Sequence, residues 1–261
     1  MATSDFIIDL FCRVDDRLRD VPKHPQAQLW PSEVVTLALV FALKGVGPRP
    51  FYRWLVRDYG DLFPHLPERT RLFRLFKDHW RWSYAFMAEV TLLGVVDTYG
   101  IELLHPIREG RSPQQLGRKG VSNHRWIVGL KLGVLLNRWG LVVGWVWAPA
   151  NTADVHFQVL ADAVRDRMLV LSDTGFHAAT GDPDNLKVCR RGEWNARMVV
   201  ETVLSMLTTL SHLKKVSHRT APYVQARLAF TMAMFNLLTQ WYGLPADADS
   251  FVPLSMAEFS L

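Results

Sequence analysis

Cysteine is scarce in this chain. Cys12 and Cys189 are the only two among 261 residues, and they stand too far apart to form a sequence-local zinc motif. Two thiols also cannot build the disulfide framework that holds many small secreted domains. We therefore expect neither a zinc-finger protein nor a disulfide-stapled one, and a reducing, cytoplasmic setting fits the composition.

Long apolar runs are also missing. The longest, 34–43 and 228–238, are shorter than the roughly 20 residues that a membrane-spanning helix needs. Asp5 and Asp9 interrupt the first ten residues, and no basic segment precedes an apolar one there, so no secretory signal is expected. The sequence predicts a protein without a membrane partner.

Positive charge, by contrast, is abundant and unevenly distributed. The formal net charge is +5, and 49% of residues are hydrophobic, which favours a packed globule over a disordered chain. Residues 44–82 hold nine Lys or Arg against four acids, and residues 187–227 hold eight against two. Such clustering is typical of a polyanion-binding protein, although solvated helix faces explain it equally well.

Hydrophobic periodicity changes near residue 91. Residues 1–90 predict helices, including one with a basic face from Thr70 onward. From residue 91, strand-like runs occur at 91–97, 126–136, 141–147, 168–172 and 186–189, and helical patterns follow Asp154 and Trp194. We therefore predict an α/β fold with a mixed sheet flanked by helices, preceded by an all-helical N-terminal part, residues 1–90. The basic helix face in this part either contacts DNA or is the exposed face of a packed helix.

Three acidic residues stand in positions that suggest a shared site. Asp97 and Asp173 each close an apolar run predicted to be a strand, and Glu201 lies inside the helix predicted from Trp194 to Val216. If the strands are neighbours and the helix crosses them, the carboxylates converge. Oxygen-only ligands suit a hard cation such as Mg²⁺. Taken singly, either aspartate could simply be a turn residue.

Several fragments together resemble the DDE transposases of bacterial insertion sequences, closest to the insertion sequence 982 family. The resemblance covers nearly the whole chain. It is carried by Phe63-Pro64-His65-Leu66-Pro67, Val95-Val96-Asp97-Thr98, Gly129-Leu130-Lys131-Leu132, Asn151-Thr152-Ala153-Asp154, Ser172-Asp173-Thr174-Gly175-Phe176 and Arg197-Met198-Val199-Val200-Glu201-Thr202.

The resemblance implies a ribonuclease-H-like catalytic domain over residues 91–261, with C-terminal helices. It also implies that Asp97, Asp173 and Glu201 are both catalytic and metal-binding, holding two Mg²⁺ ions that Mn²⁺ can replace. The expected reaction is DNA cleavage at terminal inverted repeats and strand transfer into target DNA, by a homodimer on the bacterial nucleoid. Two alternatives stay open: a structure-selective nuclease of the same fold, and an inactive DNA-binding relic.

Further residues are predicted to contact DNA. The polar segment 106–125 and its surroundings supply Arg118, Lys119, Arg125 and Lys131. Related transposases carry a Tyr-Arg-Glu-Lys signature on the last helix, whose first two places are here Trp194 and Arg197. The lysine place is Thr208, and helical spacing suggests that Lys215, further along the same face, supplies the displaced charge.

We interpret Asp154 and Trp126 as residues with structural rather than catalytic roles. Asp154 is most simply the N-cap of the helix that follows it. Trp126 is expected to pack within the sheet.

Overall fold

The computed structural model describes residues 2–122, 125–190, 197–210, 212–216, 218, 220–241, 243–244 and 259. Its N-terminal part is helical, as predicted. The helices are α1 (Thr3–Leu18), α2 (Pro31–Lys44), α3 (Pro48–Tyr59) and α4 (Arg69–Asp78), with 3₁₀ turns at Gly60–Leu62 and Trp80–Phe86.

Helix α2 shows how local sequence sets these boundaries. Pro31 occupies its first turn, and the Glu33 carboxylate accepts a hydrogen bond of 2.6 Å from the Trp30 backbone N–H. Gly45 ends the helix with a φ of 65°, a conformation that costs glycine little. Its own backbone N–H donates to the Phe41 carbonyl, which closes the last turn.

A six-stranded mixed sheet forms the centre of the described chain. Its strands are β1 (Leu93–Leu104), β2 (Arg118–Ser122), β3 (Arg125–Asn137), β4 (Val142–Pro149), β5 (Leu169–Ser172) and β6 (Leu186–Val188). β3 pairs with β1 along one side and with β2 and then β4 along the other, all antiparallel. β5 and β6 add in parallel on the far side of β1. The expected α/β class is confirmed.

A tight turn joins β3 and β4. Gly140 has a φ of 75°, and the Asn137 side-chain oxygen accepts hydrogen bonds from the backbone N–H groups of Trp139 and Leu141. These contacts satisfy backbone groups of the turn and fix the register of the two strands.

Helices cover both faces of the sheet. A 3₁₀ turn (Asp154–Gln158) and α5 (Val159–Asp162) pack on the face that carries Val96 and Val170. α6 (Arg197–Leu210) and α7 (Ala221–Thr239) belong with the opposite face, which carries Val95 and Leu171.

The N-terminal helices share this second core. One continuous cluster of buried side chains joins α1, α2 and α4 to α7 and the sheet, with Phe41, Phe73 and Phe76 next to Phe230. The Asn236 amide links the two parts further, because its Nδ2 donates to Phe86 O and Val142 O while its Oδ1 accepts from the Val142 N–H. The predicted division at residue 90 stays a prediction.

Within the described chain, no single helix is both long and apolar enough to cross a membrane. The helical residues 31–44 and 48–62 meet those criteria only as a pair, bent by 117° at the break between them.

Candidate active site

Strand register places two of the predicted acids side by side. β1 and β5 run parallel, with Val95 opposite Leu171. Continuing that register by two residues sets Asp97 level with Asp173, and period-two alternation puts both on the face covered by α6. Asp173 follows the end of β5, as predicted. The strand-end placement of Asp97 is wrong, because antiparallel pairing with β3 continues β1 to Leu104.

The sheet has a gap beside Asp97. β5 pairs only with residues 93–95 of β1. On the same side, backbone pairing among the described residues resumes at Glu102, whose N–H donates to Lys214 O and whose carbonyl accepts from Val216 N–H. The edge of β1 between these contacts opens into a cavity.

All three predicted acids line this cavity, which has a volume of about 550 Å³. They come from three elements: Asp97 from β1, Asp173 from the end of β5 and Glu201 from α6. The lining is completed by Thr98, Tyr99, Gly100, Val121, Ser122, Lys131, Asp154, Leu204, Ser205 and Thr208. Its predominantly polar wall suits a charged ligand.

Helix α6 presents a polar stripe to the cavity. Glu201, Ser205 and Thr208 are spaced by four and three residues, so they lie on one side of the helix. Val200, Val203 and Leu207 are buried on the other side. Glu201 therefore lies on the exposed side of an amphipathic helix.

Asp154 is a fourth carboxylate in the cavity, which sequence reasoning missed. The Thr98 hydroxyl donates to its Oδ1 at 2.7 Å, and Lys131 Nζ lies 2.9 Å from the same oxygen. The predicted N-cap role is wrong: Ala153 holds the cap position and Asp154 opens the 3₁₀ turn. The sequence did contain one indication of a functional role for Asp154, because the residue belongs to the Asn151–Asp154 fragment of the transposase resemblance.

Gly175 brings two of the carboxylates together. Its N–H donates to Asp173 Oδ1 at 2.9 Å. A Cβ added at Gly175 would lie 3.1 Å from Asp173 Oδ1 and 3.2 Å from Asp154 Oδ2, so both carboxylates stand directly against this glycine. Any larger residue there would crowd the site.

Tyr99 lies on the same face of β1 as Asp97 and contacts α6. Its hydroxyl is hydrogen-bonded to Thr208, the residue at the expected lysine position. Burial raises the pKa of Tyr99, opposed by the nearby charge of Arg125 and by the bond to Thr208. The phenol therefore stays protonated at neutral pH and ties the helix to the strand beside the acids.

The predicted DNA-contact residues of β2 and β3 occupy two environments. Arg118, Lys119 and Arg125 are exposed, on strands whose ends reach the cavity mouth. Lys131 is largely buried inside the cavity, with 14% of its side chain exposed, and pairs with Asp154.

Trp126 also differs from expectation. Its side chain is 61% exposed, so the sheet-packing interpretation is wrong. Lys119 Nζ lies 5.1 Å from the ring centroid, which places a cation over an exposed aromatic face.

The remaining predictions fall at the ends of α6. Trp194 lies outside the described residues. Arg197 is the first residue of α6, and its side chain is likewise outside the description. The prediction that this helix extends to Val216 is wrong, because α6 ends at Leu210. Lys215 follows in an extended segment, 3.2 Å from Glu102 Oε1, and lines a different cavity.

The cavity offers donors that fit a hard divalent cation. Its acidic ligands are all carboxylates, and no Cys or His is among the described lining residues. As they stand, no three Asp, Glu, His or Cys side chains in the described chain form a group that could hold an ion. Mg²⁺ in phosphoryl-transfer sites uses one or two carboxylates together with water and substrate phosphates, so a closed protein cage is not required.

No protein-family model matches the chain, and no curated protein sequence matches it significantly.

Proposed function

We propose that this protein is a metal-dependent DNA transposase of the DDE type, with a ribonuclease-H-like catalytic fold. The observation that supports this best is the shared cavity lined by Asp97, Asp173 and Glu201. Carboxylates from two adjacent strands and a helix line one cavity where the sheet edge is open to a ligand. This arrangement suits cleavage of a phosphodiester in an extended strand laid along β1.

The carboxylates have separate tasks in this proposal. Asp97 and Asp173 hold Mg²⁺ from the sheet, and Glu201 holds it from α6. When bound, two such ions lower the pKa of a nucleophilic water or 3′-hydroxyl and stabilise the entering and leaving oxygens. Asp154 and Lys131 form an ion pair, which fixes both side chains beside the three acids.

DNA is the proposed substrate because exposed cations lie on β2 and β3, two strands that contribute to the cavity lining. Arg118, Lys119 and Arg125 can contact backbone phosphates, while Trp126 offers an exposed face on which an unpaired base can stack. The ligands are the terminal inverted repeats and the target, bound by a homodimer on the bacterial nucleoid.

A structure-selective nuclease is the alternative with the same site. It would cut DNA through the same carboxylates without joining a 3′-hydroxyl to a second duplex. A DNA-binding relic is disfavoured, because all three acids are retained at one cavity.

The test is cleavage of DNA carrying the sequences that flank the coding region, by wild-type protein and acid-to-amide variants. Asp97→Asn, Asp173→Asn and Glu201→Gln should each lower cleavage about 1,000-fold, since losing a ligand removes several kcal/mol of transition-state stabilisation. Thermal melting and DNA affinity should change little. Mg²⁺ or Mn²⁺ should support cleavage, whereas Ca²⁺ should support only binding.

Matched controls lie outside the cavity. Asp162→Asn and Glu109→Gln alter exposed carboxylates and should cleave normally. Full activity in any triad variant, or undiminished cleavage in excess chelator, would contradict the proposed site.

A further inference from the structure

A second large cavity, about 650 Å³ in volume, lies further along β1. It is enclosed by the α2–α3 connection, the end of β1, the 3₁₀ turn after it, residues 212–218 and α7. Its charged and titratable lining consists of His105, Arg108, His212, Lys215, His218 and Arg227. None of the described lining residues is acidic.

Glu102, which lies outside the described lining, pairs with Lys215. Glu102 has 19% of its side chain exposed, while Lys215 has 62% exposed. The lysine ammonium can therefore face a ligand while keeping this partner. Among the described residues of the wall, the three cations Arg108, Lys215 and Arg227 outnumber Glu102, so this part of the wall is net positive.

Arg227 places one of these charges in the protein interior. It is 6% exposed, and its guanidinium donates to the Phe41 carbonyl at 2.8 Å. Burial lowers the pKa of Arg227 to about 10, so the group is still charged at neutral pH. An anion in the adjacent cavity would offset part of the cost of burying this cation.

His218 also lines this cavity. Its Nδ1 is buried and has no hydrogen-bond partner among the residues that the structure describes. Burial and the nearby charge of Arg227 lower the pKa of His218 to about 4, so its ring is neutral and one of its nitrogens carries a proton. A ligand oxygen in the cavity would satisfy Nδ1 in the tautomer that carries the proton there.

We propose that this second cavity binds a phosphate group, with Arg108, Lys215 and His218 as its hydrogen-bond donors. A phosphate offers several acceptor oxygens and up to two negative charges, which match these donors and the net charge of the wall. The volume exceeds that of a single ion and falls within the range of nucleotide-sized ligands. The phosphate therefore belongs to a larger molecule.

A DNA strand is the source that the geometry favours, an assignment that rests on the proposed function. Asp97 and Leu103 are six residues apart on β1, or roughly 20 Å at about 3.3 Å per residue. Duplex DNA advances about 3.4 Å along its axis per base pair, so the second cavity would hold a phosphate roughly six base pairs from the cut, on whichever strand faces the protein there.

Two measurements test the proposal without requiring cleavage. In the first, inorganic phosphate is added while the ring nitrogens of His218 are followed by ¹⁵N NMR. Saturable shifts are expected in the wild type, with loss of at least about tenfold in affinity for Arg108→Ala and Lys215→Ala. The neighbouring Arg111→Ala and Lys214→Ala, which do not line the cavity, serve as matched controls.

The second measurement is the salt dependence of duplex binding. Arg108→Ala and Lys215→Ala should each reduce the slope by roughly one unit, the amount expected for one lost phosphate contact. Phosphate-dependent shifts of His218 with unchanged slopes would support a phosphate site but overturn DNA as its source. Absence of both effects would overturn the proposal, whatever the cleavage assay gives.

Discussion

At the scale of single residues, the four carboxylates that line the cavity beside β1 have different neighbours and different expected roles. Asp97, Asp173 and Glu201 are proposed as metal ligands. Asp154 instead accepts a hydrogen bond from Thr98 and pairs with Lys131. We therefore treat Asp154 as a positioning residue rather than a fourth ligand.

The coupling free energy between Asp154 and Lys131 can be measured by a double-mutant cycle. Asp154→Asn and Lys131→Met should each reduce the free energy of unfolding, and the pair should show a coupling of about 1 kcal/mol, because both side chains are largely shielded from water. Urea unfolding of the four proteins gives this value. Asp154→Asn should also weaken Mg²⁺ binding about tenfold, as expected for a group that orients ligands.

A coupling near zero would show that the ion pair does not fix either side chain. A complete loss of cleavage in Asp154→Asn, with Mg²⁺ affinity unchanged, would contradict its positioning role.

His218 predicts a dependence of stability on pH. Its pKa falls from 6.5 to about 4 on folding, so the unfolded chain binds more protons between these values. The contribution of His218 to stability is complete above pH 6.5 and decreases as the pH falls towards 4. Urea unfolding from pH 7.5 to 4.5 should show this decrease, and His218→Asn should make the curve shallower. An identical curve for the variant would contradict the assignment.

At the scale of elements, close backbone approach between β1 and β3 sets the shape of the sheet. A Cβ at Gly129 would lie 1.9 Å from the Ile101 carbonyl oxygen, and backbone atoms cannot move aside cheaply. At Gly144 on β4, a Cβ would meet only a Leu160 methyl group at 3.6 Å, an ordinary contact.

Gly129→Ala should therefore destabilise the protein by about 3 kcal/mol, the upper part of the range for overpacked cores. Gly144→Ala, in the same sheet, should change stability by less than about 1 kcal/mol. Thermal unfolding of both variants checks the difference. Equal effects would mean that β1 and β3 can separate without cost.

Local patterns predicted elements better than they predicted element ends. β5 and the β3–β4 turn were predictable because an apolar run and a turn sequence mark them directly. β2 was missed, since its residues Arg118–Ser122 are mostly polar and its pairing with β3 is a long-range contact. The continuation of β1 past Asp97 was missed as well, because its pairing with β3 is also a long-range contact.

The end of α6, at the candidate site, was also not predicted from the local sequence pattern. Helical spacing placed Glu201 and Thr208 on one side of α6, and both line the cavity. The same spacing failed for Lys215, because the chain beyond Leu210 leaves the helix and pairs with Glu102 of β1. Likewise, nothing local in the sequence indicates that Lys131 reaches Asp154 across the sheet.

At the scale of the whole molecule, the proposed site depends on a core that joins both parts of the chain. α7 packs against the N-terminal helices and lines the second cavity through Arg227. The two cavities follow one edge of β1, so a single DNA duplex laid along this edge could contact both.

The most direct test of the account is strand transfer from a pre-cut DNA end. The substrate carries the sequences flanking the coding region, ends in a free 3′-hydroxyl, and is mixed with plasmid target in Mg²⁺. The account predicts joined products with wild-type protein, none in chelator, and none with Glu201→Gln at unchanged DNA affinity. Cleavage of flanking DNA without any joined product would identify a nuclease instead, and joining by the Glu201→Gln protein would contradict the proposed site.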